Sequence, residues 1–211
     1  MLLSTEKRFI FIHIPKSAGS SITYALTPYS LSPEKSQFRR LLSHLPVSEN
    51  PEKAWLRAHD KASWLRLKLP PEIYNSYCKF AVVRNPFDYA VSYYFSVRKN
   101  PKSNRHASAN RQSFSEFLRS IGRKNNFTGI TQSSWVTDRS GQIIIDRVLR
   151  FEHFDNDVAE LFADLGIDRA TAIPYVNTTK HEPYRYYYSD ADRKFAERLF
   201  ARDLELFGYS F

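Results

Sequence analysis

One cysteine in 211 residues, Cys78, rules out an intramolecular disulfide and a cysteine-built zinc cluster, and it suits a reducing compartment. It stands before Lys79-Phe80-Ala81-Val82-Val83, where a buried structural thiol is expected. No segment approaches the ~18 or more apolar residues of a membrane span. The start, Met1-Leu2-Leu3-Ser4-Thr5-Glu6-Lys7-Arg8, lacks the basic-then-apolar order of a secretion signal. The expectation is a soluble, cytoplasmic chain without a transmembrane segment, with peripheral membrane contact left open. Repeats, low-complexity tracts and separating linkers are also absent, so one domain over residues 1–211 is expected.

Acidic residues are in short supply: 31 Lys+Arg face 22 Asp+Glu. The shortage is N-terminal, because residues 1–105 hold 17 basic and 7 acidic residues and the remainder 14 and 15. A local positive field calls for an anionic partner: nucleic acid, an acidic membrane, a phosphorylated cofactor or an acidic glycan. On charge alone a solubilising surface explains it equally well. With 42% hydrophobic, 15% aromatic and 25% charged residues, disorder and a fibrous chain are excluded.

Phe9-Ile10-Phe11-Ile12-His13-Ile14 is a short apolar run ended by Pro15, as in a strand buried on both faces of a parallel sheet. Phe80-Ala81-Val82-Val83, ended by Arg84-Asn85-Pro86, is a second. Each precedes a helical pattern: Ser20 or Ser21 can cap a helix to about Leu26, and Pro86 at a first helical position leads into Phe87 to Arg98. Two such units predict a three-layer α/β fold with a ligand outside the strands' C-terminal ends. Glu34 to Leu45 and Ala54 to Leu69 read as helices, Arg98 to Gln112 as a mobile basic loop, and Ser113 to Ile121 as a capped helix. Asp138 to Gly141 is a turn, Gln142 to Glu152 a strand, Asp155 to Leu165 a helix capped by Asp155, and Ser189 to Phe207 a helix stopped by Gly208.

The first strand runs into Pro15-Lys16-Ser17-Ala18-Gly19-Ser20-Ser21. Small side chains let backbone N–H groups approach an anion, a helix N-terminus adds its positive end, and lysine and hydroxyls donate hydrogen bonds. The G-x-x-x-x-G-K-[ST] order of a Walker A loop is missing, since Lys16 precedes the loop's only glycine. A serine-capped helix explains this stretch about as well. In the second unit Arg84 sits at a strand end and Ser92 two turns into the next helix, so both can face one anion.

Ile14-Pro15-Lys16-Ser17-Ala18-Gly19-Ser20-Ser21 together with Val82-Val83-Arg84-Asn85-Pro86 and Ser92 resembles the sulfotransferases that use 3′-phosphoadenosine 5′-phosphosulfate (PAPS), in particular their carbohydrate branch. Gln132, Trp135, Asp138, Gly141, Val148 to Glu152, Asn177, the tyrosines around Tyr187 and the ending Asp203 to Phe211 fall in that branch's order, so the resemblance spans nearly the whole chain. It implies a P-loop-like fold with a central mainly parallel sheet flanked by helices, and PAPS as donor with PAP as product. Lys16, Ser17, Ala18, Gly19, Ser20 and Ser21 would hold the 5′-phosphosulfate, and Arg84 and Ser92 the 3′-phosphate. The branch's histidine motif maps onto His59, although Asp60 and Lys61 depart from its small residues.

In such a reaction a hydroxyl attacks sulfur in line, so the protein must orient the partners, take a proton and stabilise the leaving oxygen. Lys16 is placed for the last task and His59 is the candidate base, with a structural, hydrogen-bonded histidine as the alternative. His13 is expected to pack. The transferred group carries less charge than a γ-phosphoryl and no carboxylate pair is evident, so no metal is expected. Tyr175 to Tyr188 reads equally as a lid, with Lys180 or Arg185 near the 3′-phosphate, or as a solvated loop docked by its tyrosines. Arg150 and Glu152 are expected to support the site structurally. The acceptor expected is a glycan or glycolipid hydroxyl, in an anionic molecule if the basic segment after Ser92 faces it, and not a nucleic acid. A P-loop-type kinase and a non-catalytic basic module for nucleic acid or acidic polysaccharide are the competing readings; the missing Walker order and magnesium carboxylates argue against the first, and the second leaves the paired strand-end motifs unexplained.

Overall fold

A computed structural model describes residues 1–33, 36–123, 130–168, 173 and 181–211. They gather into two compact units, Met1–Val83 with Ser134–Val176, and Arg84–Ser133 with Asn177–Phe211.

The first unit holds a four-stranded sheet in the order β1 (Leu2–Ser4), β2 (Phe9–Ile12), β3 (Cys78–Val83), β4 (Arg147–Arg150). β2, β3 and β4 are parallel, with Phe9 opposite Cys78 and Phe80 opposite Arg147; β1 joins β2 antiparallel as an edge strand, too short to be legible in the sequence. Both apolar runs do form strands buried on two faces: Phe9 to Ile12 and Phe80 to Val83 are at most 1% exposed. From strand to strand, Phe80 stacks on Phe11 at 5.2 Å and meets Phe9 edge-on at 6.0 Å. Against them pack Ile22 and Leu26 of α1 (Gly19–Leu26) and Val158, Leu161 and Phe162 of the helix Phe154–Asp164. Cys78 is half-buried, and burial pushes its thiol above the usual pKa, which keeps it protonated.

In the second unit α5 (Pro86–Lys99) begins with proline at its first turn, as expected, and the Asn85 side chain accepts from the Phe87 N–H. Its apolar face packs on the helix Phe114–Gly122, closed by a Ser113/Glu116 capping box, and on the C-terminal helices.

Several boundaries differ from the sequence reading. The helix expected over 34–45 is Gln37–Leu42, α2, capped by Ser36 and without a buried residue. The one expected over 54–69 is confined to Ala62–Lys68, α3, because the Asp60 carboxylate accepts the Arg57 N–H and holds Arg57–Asp60 in a local turn; α4 (Pro71–Ser76) follows it. Arg98 to Gln112 is not a mobile loop. α5 continues to Lys99 and His106–Asn110 forms a further helix, α6, tied by Asn110 to the Arg98 carbonyl and by Tyr94 Oη to the Gln112 carbonyl. Those ties are polar, so they leave no apolar period to read. Only Arg147–Arg150 of the 142–152 segment is strand, and the helix after it starts at Phe154 with no side-chain cap from Asp155. The C-terminal helix breaks at the buried Phe200 into Asp190–Leu199 and Ala201–Phe207, and Gly208 in the left-handed region ends it.

Candidate functional site

Between β2 and α1 the chain turns through Lys16 at φ 64° and Ala18 at φ 54°, both in the left-handed region that costs a non-glycine residue roughly 1–2 kcal/mol. Two left-handed residues thus flank Ser17, and left-handed residues in a turn are a component of the backbone nests that bind anions. Ala18 is the N-cap of α1, and its carbonyl accepts from Ser21 and Ile22. Ser20 and Ser21 lie inside the first turn, so neither is the cap that the sequence suggested. The N-cap of α1 makes no side-chain capping bond, and the helix's own first turn contains no acidic residue that would offset its positive end.

At Gly19 a Cβ would stand 2.1 Å from Cδ2 and Nε2 of His13, so the missing side chain makes room for the imidazole. That ring also stacks on Phe11 at 5.6 Å and meets His59 edge-on at 4.8 Å. Burial, then the N-terminal ammonium and His59, lowers the His13 pKa to about 3. His13 therefore packs, as expected, and does so neutral.

A histidine held neutral on folding makes stability fall with acid. Between the unfolded pKa near ~6.5 and about 3, the unfolded chain binds a proton that the folded chain excludes, so stability declines as pH drops through that window. His13→Phe is expected to flatten the decline in a melting series from about pH 7 to about pH 4; an unchanged slope would contradict the assignment.

His59 is exposed and its Nδ1 lies 3.0 Å from the His13 carbonyl. A carbonyl can only accept, so Nδ1 carries the hydrogen and Nε2 presents its lone pair, the tautomer a general base requires. The Trp135 ring meets it edge-on at 6.1 Å. Asp60, one of the departures from the motif, is buried in an ion pair with Arg57 at 2.6 Å and so has a structural role. Lys61 is half-buried, and burial lowers its ammonium pKa.

Arg84 opens the second unit. Its N–H donates to Gln132 Oε1 at 2.8 Å and its carbonyl accepts from Gln132 Nε2 at 2.6 Å, so one buried amide holds both backbone groups. Asp203 in turn accepts the N–H groups of Gln132 and Ser133 at 2.7 and 2.8 Å. Burial raises the Asp203 pKa, and those bonds oppose the rise. The guanidinium places Nε and Nη2 both 2.7 Å from Asp88 Oδ2. Asp88 and the buried Ser92 follow at intervals of four and share one face of α5. The exposed Arg185 lies over the rings of Tyr184 and Phe211 at 5.6 and 5.0 Å. Lys180, with Asn177, lies outside the described residues.

Each unit thus has its own constellation. The Lys16–Ser21 turn and the His13–His59–Trp135 cluster belong to the first, and Arg84, Asp88, Ser92, Gln132 and Asp203 to the second.

The family model described as "Sulfotransferase family" matches residues 1–210. The chain belongs to the sulfotransferase family. Among solved structures this sulfotransferase is similar to mouse sulfotransferase SULT7A1 complexed with PAP, at 16% identity and a TM-score of 0.58, covering 97% of this chain and 86% of that one. That likeness shows the fold, the α/β, P-loop-like arrangement expected. A sulfotransferase from Alicyclobacillus acidocaldarius also matches, at 15% identity over 95% of this chain and 96% of that one, with a TM-score of 0.39. No curated protein matches the chain.

Proposed function

We propose that this sulfotransferase moves a sulfuryl group from PAPS to a hydroxyl of a glycan or glycolipid by in-line displacement. The observation that carries the reading is the Lys16–Ala18 turn, left-handed at two non-glycine residues, leading into a helix whose first turn holds no acidic residue. Such strain persists where the surroundings over-determine it, and an anion on the N–H groups is a physical reason to retain it. That mouse SULT7A1 is complexed with PAP supports the same donor.

In this reading Lys16, Ser17, Ala18, Gly19, Ser20 and Ser21 take the 5′-phosphosulfate, Arg84 and Ser92 take the 3′-phosphate, and Lys180 and Arg185 add to the latter. His59 Nε2 removes the acceptor's proton as its oxygen bonds to sulfur. Lys16 stabilises the charge that grows on the phosphate oxygen as the S–O bond to it breaks, leaving PAP. The basic residues Arg98, Lys99, Lys102 and Arg105 favour an anionic acceptor. The lone, protonated thiol of Cys78 supports a cytoplasmic setting. No helix among the described residues is long and apolar enough to cross a membrane.

The test follows from the chemistry. The transferred group carries less negative charge than a phosphoryl, so lysine and backbone donors suffice and no metal is needed. Transfer from PAPS to a glycan acceptor is expected to continue at an unchanged rate in EDTA. Loss of activity restored by Mg²⁺ would overturn this part of the account.

A further inference from the structure

His181 belongs to no part of the mechanism above, yet its ring is closely held within the second unit. Its side chain is 7% exposed, stacked on Phe95 at 6.0 Å and edge-on to Tyr187 at 6.4 Å. Nδ1 lies 2.8 Å from the Glu182 carbonyl and therefore carries a hydrogen. Nε2 is buried without a hydrogen-bond partner among the described residues, and 3.7 Å away is Asp88 Oδ1. That is the oxygen left over after Oδ2 has taken both Nε and Nη2 of Arg84.

In the neutral ring a lone pair faces a carboxylate oxygen, an arrangement that gains nothing. With a proton on Nε2 the same pair becomes a charge-assisted contact. The charge sum then decides what Arg84 can do. With neutral His181, Arg84 and Asp88 cancel; with protonated His181 the three groups carry one net positive charge. A phosphate dianion arriving at Arg84 meets Asp88 beside it and is repelled unless that carboxylate is neutralised from its other side.

We infer that His181 is a positioning residue for the nucleotide: acting through Asp88, it takes up a proton from solvent as the 3′-phosphate binds Arg84 and so makes that arginine's charge available. The inference rests on the reading of Arg84 as the 3′-phosphate ligand. Among the described residues, three ionisable side chains face the pair besides its own members. On His181 look Asp88 from α5 and the Tyr187 hydroxyl, which accepts the Glu182 N–H; on Asp88 look Arg84 and Tyr188, whose hydroxyl is held protonated by burial and donates to the Phe87 carbonyl. Phenols ordinarily ionise well above neutral pH and imidazoles near it, so the histidine is the member able to change charge there. By linkage, a phosphate that favours the proton is itself bound less tightly as pH rises.

Calorimetry of PAP binding near pH 7.5, in buffers of different ionisation enthalpy, counts the protons exchanged. The wild type is expected to take up a fraction of a proton approaching one, His181→Gln to take up none, and His153→Gln, a change at an exposed histidine of the first unit, to match the wild type. From about pH 6 to about pH 8 the wild-type PAP Kd is expected to rise about tenfold more than that of His181→Gln. Asp88→Asn removes the carboxylate that holds the proton and should abolish uptake as well, which keeps the test decisive if His181→Gln melts early. Equal proton counts in wild type, His181→Gln and Asp88→Asn overturn the inference while PAP binding stands. A wild type that does not bind PAP overturns the proposed function, and the inference with it.

Discussion

His59→Ala is expected to lower kcat by about 10²–10⁴-fold with little change in PAP affinity, because a base acts in the transition state rather than in binding. The ring is exposed and its Nδ1–H is spent on the His13 carbonyl, so truncation opens no core cavity and the melting temperature should stay near that of the wild type. His59→Gln should be nearly as slow. It can still donate to that carbonyl but presents no basic lone pair. Initial rates and melting curves on the same preparations check both variants. A His59→Ala protein that loses stability and PAP binding along with activity would make the residue structural instead.

The second large effect comes from Gly19→Ala. Its Cβ would stand 2.1 Å from two atoms of the His13 ring, a separation no real contact shows, so ring or backbone must move. Overpacking of that kind costs roughly 1–3 kcal/mol. Displacing the ring also disturbs its 4.8 Å contact with His59 at the point where the loop enters α1. A melting temperature lower by several degrees and a large loss of kcat/KM are expected. His13→Ala/Gly19→Ala removes the clash and should melt higher than Gly19→Ala alone, a non-additivity of the kind that marks contacting residues. If Gly19→Ala behaves as the wild type, or the double variant is no better, the glycine is not there for the histidine.

The two-faced burial of Phe9 to Ile12 and Phe80 to Val83 was readable because an unbroken apolar run leaves a strand little choice, and Pro15 and Pro86 mark where each run ends. The capping box at Ser113/Glu116 and the glycine stop at Gly208 are equally local signals. What escaped was held by polar contacts distant in sequence. Gln132 and Asp203 stand 48 and 71 residues from their partners, so nothing local announces that they fix the Arg84 backbone. Arg84 and Asp88 at i,i+4 across a helix start did carry a signal, one that a motif-centred reading passes over. At Gly19 the sequence carries no sign of the neighbour that needs it: the left-handed positions are Lys16 and Ala18, and the glycine leaves room for the imidazole of His13. The segment 98–112 misled because its helix is anchored by Asn110, Tyr94 and Arg98 through hydrogen bonds, and hydrophobic periodicity is blind to those.

The central claim, that Lys16 and Arg84 serve the two ends of one nucleotide, is tested most directly by calorimetry of PAP against the wild type, Lys16→Ala and Arg84→Ala, with ATP and an oligonucleotide as comparators. Charge-assisted hydrogen bonds are worth ~1.5–3 kcal/mol, so PAP should bind the wild type with micromolar affinity or tighter and each variant roughly 10- to 100-fold more weakly. ATP and the oligonucleotide should bind far less well than PAP. Unchanged PAP affinity in both variants, or a wild type that prefers ATP or the oligonucleotide, would contradict the account.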